Sequence, residues 1–131
     1  SECFKTSTKF SHPERLGLIK QKIDIVISKY KPDHLAIETL FFAKNQKTAL
    51  LVSEARGLIV GTSQSAGLGV FEYGPGEIKL AVTGYGRSGK NEIIKMIPKL
   101  IKIPEEKLKN KIHDDEFDAI AVGLTHSAIF R

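Results

Sequence analysis

The stretch HLAIETLFF, from His34 to Phe42, decides how the rest of this 131-residue chain is read. It is a short apolar run ending in two phenylalanines, with one carboxylate, Glu38, in its middle. A run of this length without helical period, directly after the turn Lys31-Pro32-Asp33, predicts a buried strand. Alternation puts Leu35, Ile37 and Thr39 on one face and Ala36, Glu38 and Leu40 on the other. An ionised glutamate on a buried strand is costly unless a cation, a donor or water meets it. Glu38 therefore either points to solvent at the strand's end or binds a metal ion.

Upstream, residues Glu2 to Lys9 alternate loosely and predict one strand. Ser11-His12-Pro13-Glu14 has capping-box spacing with proline in the first turn, and Leu16, Ile19, Ile23, Ile27 and Tyr30 follow at helical intervals. Downstream, a helix is expected from about Asn45 to Gly61, with Ala49, Ser53 and Gly57 forming a stripe of small residues. That stripe permits close approach of another element, from this chain or from a second copy. Residues 63–69 read as a loop, Val70 to Tyr73 as a strand, and Glu77 to Thr83 as a short helix between Pro75 and Gly84. Ile93, Ile94, Ile97, Leu100 and Ile101 mark a helix capped near Ser88, which Pro98 should bend or break. Residues 104–111 read as a charged linker, and Asp114 to about Phe130 as the last helix.

Few strands among this many helices give a mixed α/β chain of one domain, residues 1–131, and suit a sheet missing some of its strands. Hydrophobic residues make up 41% and charged residues 27%, which excludes a disordered polyelectrolyte. No apolar run reaches the roughly 20 residues of a membrane span. The single cysteine, Cys3, rules out an intrachain disulfide and fits a cytoplasmic setting. A net charge of +5 favours a polyanionic partner.

Two motifs carry chemistry. GYGRSGK, from Gly84 to Lys90, satisfies GxGxxG and most of the phosphate-loop pattern, but Asn91 stands where a magnesium-binding hydroxyl belongs. A nucleotide-binding loop is thus the weaker reading, and a turn facing nucleic-acid phosphates, with Arg87 and Lys90, the stronger. The second motif is HDDEFD, from His113 to Asp118. One acid suffices to cap a helix, and four stand here. Asp115 and Asp118 lie three apart on one helical face, and Asp114 with Asp118 would serve nearly as well. With Glu38 they would form a three-carboxylate site for a hard cation such as magnesium or manganese.

Three strings together resemble the RuvC family of bacterial Holliday-junction resolvases. They are HLAIETLFFAKNQKTALLVSEARGLIV from His34, VFEYGPGEIKLAVTGYGRSGK from Val70, and DDEFDAIAVGLTHS from Asp114. The resemblance runs from about Glu2 to Ser127. It implies an RNase H-like fold, with a mixed sheet flanked by helices, and metal-dependent, symmetric nicking of four-way DNA junctions by a homodimer. The family's strand glutamate falls on Glu38 and its two C-terminal acids on Asp115 and Asp118, holding two magnesium ions for which manganese can substitute. Its junction-wedging aromatic falls on Phe41 and its two basic residues on Lys79 and Lys90, with Arg87 beside them on backbone phosphates. The helix at about 45–61 becomes the dimer interface, and a branch-migration motor the expected partner. The family's first strand, with its Asp-Pro-Gly turn, and its second strand have no counterpart here. A fourth carboxylate is therefore lacking, so this chain is expected to cut poorly or only to bind junctions. Pro98 also departs from the family pattern.

Overall fold

The computed structural model describes residues 1–39 and 45–130. Chain order is α1 (His12–Tyr30), β1 (His34–Glu38), α2 (Gln46–Ser65), β2 (Gly69–Tyr73), α3 (Pro75–Thr83), α4 (Lys90–Leu100), α5 (Glu105–Lys109) and α6 (Asp114–Ile129). β1 and β2 form a two-stranded sheet. They run parallel: Gly69 N–H donates to the Asp33 carbonyl and Thr39 N–H to the Tyr73 carbonyl, each at 2.9 Å. α2 is thus the crossover of a βαβ unit.

Local chemistry fixes most element ends. The Ser11 hydroxyl accepts from Glu14 N–H at 3.3 Å with proline in the first turn, as the capping-box spacing predicts. Asn45 Oδ1 accepts from Lys47 and Thr48 N–H at 3.1 and 3.3 Å and starts α2. α3 begins at Pro75 and closes on Gly84 at φ 77°, a left-handed position that suits glycine. Glu77 accepts from Gly74 N–H, and Glu92 from Gly89 N–H, so α3 and α4 carry the same N-terminal lock.

Several expectations are corrected. Residues Glu2 to Lys9 form no strand; the segment ends in a turn in which Phe10 N–H meets the Ser7 carbonyl at 3.2 Å. Alternation alone makes no strand without a neighbour to take its backbone groups, and among the described residues only β1 and β2 pair. β1 is half-buried rather than buried, and Glu38 at its end is exposed. α2 runs one turn beyond Gly61, through a buried Ser63, because no helix breaker intervenes before Gly67 at φ 87°. The charged stretch after Pro104 is the short helix α5, with Glu105 and Glu106 in its first turn and Lys107 and Lys109 in its last, which complements the helix dipole. α4 starts after Gly89 rather than Ser88, and Pro98 sits in its last turn, where the helix is already ending.

The chain divides into two compact units, Phe4–Leu35 with Leu40–Phe71, and Ser1–Cys3 with Ala36–Thr39 and Glu72–Arg131. In the first, α1 packs on α2, and His12 Nε2 lies 2.7 Å from Glu54 Oε2. In the second, α3, α4 and α6 pack mutually around Ile78, Val82, Ile97, Ala121 and Val122. Ile97 is wholly buried, a side chain whose removal from water is worth about 1.5–3 kcal/mol. Thr125, equally buried, satisfies its hydroxyl on the Ala121 carbonyl at 2.8 Å.

Candidate active site

Within the second unit a cleft of about 220 Å³ collects four charged side chains from four elements. Glu38 comes from the end of β1, Lys79 from α3, Lys90 from the start of α4 and Asp118 from α6, over an apolar floor that includes Ile78 and Ala121. Lys90 Nζ lies 3.3 Å from Asp118 Oδ2 and 3.9 Å from Asp114 Oδ2. All three side chains are about half exposed or more, so these pairs contribute at most about 1 kcal/mol and yield readily to a competitor.

Of the residues singled out in the sequence, the structure brings Glu38, Lys79, Lys90 and Asp118 into this cleft. Phe41 lies outside the described residues. Arg87 is exposed in the turn between α3 and α4. Asp115 is turned elsewhere: its Oδ2 lies 3.4 Å from His113 Nδ1, and its side chain is 76% exposed. Cys3, His113 and Asp115 offer ligand atoms within 4.8 Å of one another, and among the described residues no other trio of such side chains does. Glu38, Asp115 and Asp118 are thus not drawn into one tight cluster, as like charges demand when only a lysine stands among them.

Two further residues take part, Asp114, which the spacing offered as the alternative to Asp115, and His113, which sequence reasoning missed. Asp114, four residues before Asp118, shares Lys90 with it. His113 rather than an acid caps α6, its Nδ1 accepting from Asp115 N–H at 3.2 Å. Since Asp, Ser and Asn are the usual caps, histidine gave no signal.

The turn carrying Arg87 is held by one hydroxyl. Thr83 Oγ1 stands 2.8 Å from the Lys79 carbonyl, 3.2 Å from Tyr85 N–H and 2.8 Å from Ser88 Oγ. A hydroxyl has one proton and two acceptor sites, so it donates to the nearer Lys79 carbonyl and accepts from the Tyr85 N–H and the Ser88 hydroxyl, while the Tyr85 carbonyl, 3.1 Å away, is served by Ser88 N–H. Ser88 is buried, and its N–H donates to the Tyr85 carbonyl at 3.1 Å.

The remaining acid of the motif, Glu116, is buried and faces away from solvent. Lys107 Nζ donates to it at 2.6 Å and the Ser1 hydroxyl at 2.5 Å, and the lysine foremost holds its carboxyl below the usual range. Elsewhere in this unit the Tyr73 hydroxyl meets His126 Nδ1 at 2.7 Å.

The comparisons with known proteins agree with one another. The family model described as crossover junction endodeoxyribonuclease RuvC matches residues 1–126. The chain is 42% identical over 127 residues to the crossover junction endodeoxyribonuclease RuvC of Finegoldia magna, covering 95% of this chain and 73% of that one. To the protein of the same name from Pelotomaculum thermopropionicum it is 38% identical over 125 residues, covering 95% and 74%. The structure of T. thermophilus RuvC in complex with Holliday junction substrate superposes with a TM-score of 0.86 at 30% identity, over 97% of this chain and 74% of that one. Another Thermus thermophilus RuvC structure gives 0.80 over 96% and 74%.

Two predictions arise from this geometry. Thr83→Val keeps the shape of the side chain but orphans the Tyr85 N–H and the buried Ser88 hydroxyl, and should cost about 1–3 kcal/mol in urea unfolding. For Glu116, a carboxyl lowered in the folded state stabilises above its unfolded pKa of about 4.3, and that contribution is lost as pH falls through the lower folded value. Glu116→Gln should therefore lower Tm at pH 7 and flatten its fall on acidification; an unchanged acid limb would remove Glu116 from the account.

Proposed function

The chain belongs to the RuvC family of crossover junction endodeoxyribonucleases, and from that premise we propose that it cuts four-way DNA junctions at the cleft of Glu38 and Asp118. It has the RNase H-like fold, and its activity is that of a nuclease, a hydrolase of the phosphodiester backbone. The observation that carries the assignment of the cleft is the meeting there of two carboxylates and two lysines from four separate elements.

The family is metal-dependent, and the donor set suits a metal of its kind. Carboxylate oxygens are the ligands that hard divalent cations prefer, and Lys90 beside Asp118 marks a place where positive charge is already held. Glu38 and Asp118 would hold magnesium, or manganese in its place, with Asp115 joining by rotation from the adjoining turn of α6. The metal supplies charge neutralisation at the scissile phosphate and an activated water, most fully as a pair of ions. Lys79 and Lys90 hold the phosphate in the cleft, and Arg87 a neighbouring one, so binding is salt-dependent and carries little sequence content. When Lys90 takes a phosphate oxygen it leaves Asp118 free to hold the cation. Phe41 is assigned to the junction centre, as an aromatic wedge between bases.

We read residues 1–131 as one nuclease domain that works as a homodimer through α2. Leu50, Leu51 and Val52 on this helix are 61%, 40% and 46% exposed, so large apolar side chains stand in water there for a second copy to cover. A paired enzyme suits symmetric nicks, and a branch-migration motor would bring the junction to it. No described helix is long and apolar enough to cross a membrane, and a DNA substrate places the work in the cytoplasm.

Gel analysis of a labelled synthetic four-way junction with magnesium tests the assignment. Retardation of the junction with slow, paired symmetric nicks is expected, and Glu38→Gln should slow the nicks further by at least about a hundredfold, a metal contact being worth several kcal/mol, while leaving retardation intact. Undiminished nicking by the variant would remove Glu38 from catalysis. Leu50→Glu should convert a sedimenting dimer to monomer; a dimer that persists would put the interface elsewhere.

A further inference from the structure

On the far side of the Gly84–Lys90 turn the second unit carries another concavity, a groove of about 330 Å³ between the end of α3 and the flank of α4. Thr83, Tyr85, Glu92, Lys95, Met96 and Lys99 line it. None of these belongs to the cleft of Glu38 and Asp118.

Tyr85 is 60% exposed. Its backbone is fixed on both sides: the N–H goes to Thr83 Oγ1 at 3.2 Å, and the carbonyl takes Ser88 N–H at 3.1 Å. The ring therefore stands on a rigid turn and costs little further ordering when a ligand covers it. Met96 is half-buried and supplies a polarisable wall. Lys95 and Lys99 are exposed and four residues apart, so both ammonium groups project from one face of α4 and repel each other until an anion lies between them. The lone acid, Glu92, is turned back onto Gly89 N–H. The groove thus presents a flat aromatic face, an apolar wall and two lysines.

We propose that this groove is a second nucleic-acid subsite, which takes one unstacked nucleobase of a junction strand on Tyr85 and the adjoining phosphates on Lys95 and Lys99. The volume suits a single nucleoside, and the combination of ring and cations is that of surfaces that bind single strands. Arg87 and Lys90 lie on the same turn, so a strand held here runs on toward the cleft. Bases next to a strand exchange are the least costly in a junction to unstack. The inference rests on the nuclease reading above and adds to it a contact that anchors the strand outside the cleft.

The test is fluorescence anisotropy of a labelled four-way junction in EDTA, titrated with the full chain over a range of salt, so that no cutting intervenes. Tyr85→Ala should weaken binding roughly 5- to 150-fold, the worth of one base–aromatic stack, with its salt slope unchanged, and Tyr85→Phe should bind as the parent does. The double variant Lys95→Ser, Lys99→Ser should make the slope of log K against log salt shallower by about 1.4, two single-strand phosphate contacts at about 0.7 each. Thermal melting of each variant at the parent temperature would show the fold intact. If the parent binds and Tyr85→Ala binds equally well, or the lysine pair leaves the slope unmoved, the subsite is overturned while the nuclease reading stands. A parent chain that binds no junction overturns both.

Discussion

The Thr83 hydroxyl is the contact on which the basic surface depends. It closes the end of α3 on the Lys79 carbonyl and receives the Tyr85 N–H and the Ser88 hydroxyl, so the end of α3 and the glycine turn ahead of α4 are tied together. Lys79 is on the helix it closes, Arg87 is inside the turn, and Lys90 opens the helix beyond. Three cations are thereby spaced by one uncharged side chain. The left-handed Gly84 at φ 77° makes the reversal possible, and the paired glutamates, Glu77 on Gly74 and Glu92 on Gly89, lock the helix starts on either side.

Electrostatics in the cleft is balanced rather than extreme. Two carboxylates and two lysines line it, and Lys90 stands within reach of both Asp114 and Asp118. Such exposed pairs are weak enough to exchange partners, which is what a site must do if the same lysine is to meet a phosphate and the same aspartate a cation. Two acids of the motif stand outside this exchange: Asp115, turned toward His113, and Glu116, buried against Lys107 and the Ser1 hydroxyl.

How far the sequence could be read followed the range of the forces involved. Ser11 with Glu14, and Pro75 with Gly84, act over a few residues, and the helices they delimit stood out in the letters. Strand formation between Glu2 and Lys9 needs a neighbour that no local pattern supplies, and the segment is irregular. α5 was hidden because a highly charged stretch looks like a linker until its acids and lysines are placed at opposite ends of a helix. Glu38, Lys79, Lys90 and Asp118 were marked by motif and by resemblance, but spacing alone could not choose between Asp114 and Asp115. Only side-chain geometry separates them: Asp114 shares Lys90, while Asp115 turns toward His113 and Cys3.

The order in which these parts can form has a bearing of its own. The α3–turn–α4 hairpin is built from contacts between residues close in sequence, and such contacts assemble early. The cleft needs Glu38, which precedes the hairpin by some forty residues, and Asp118, which follows Lys90 by twenty-eight, so its loops must close before its geometry exists. The basic turn can therefore form before the acid residues of the cleft meet. A partly folded chain would then show the positive charge of Arg87 and Lys90 to its surroundings before Glu38 and Asp118 stand together, so the basic and the acidic halves of the cleft are separable stages of one fold.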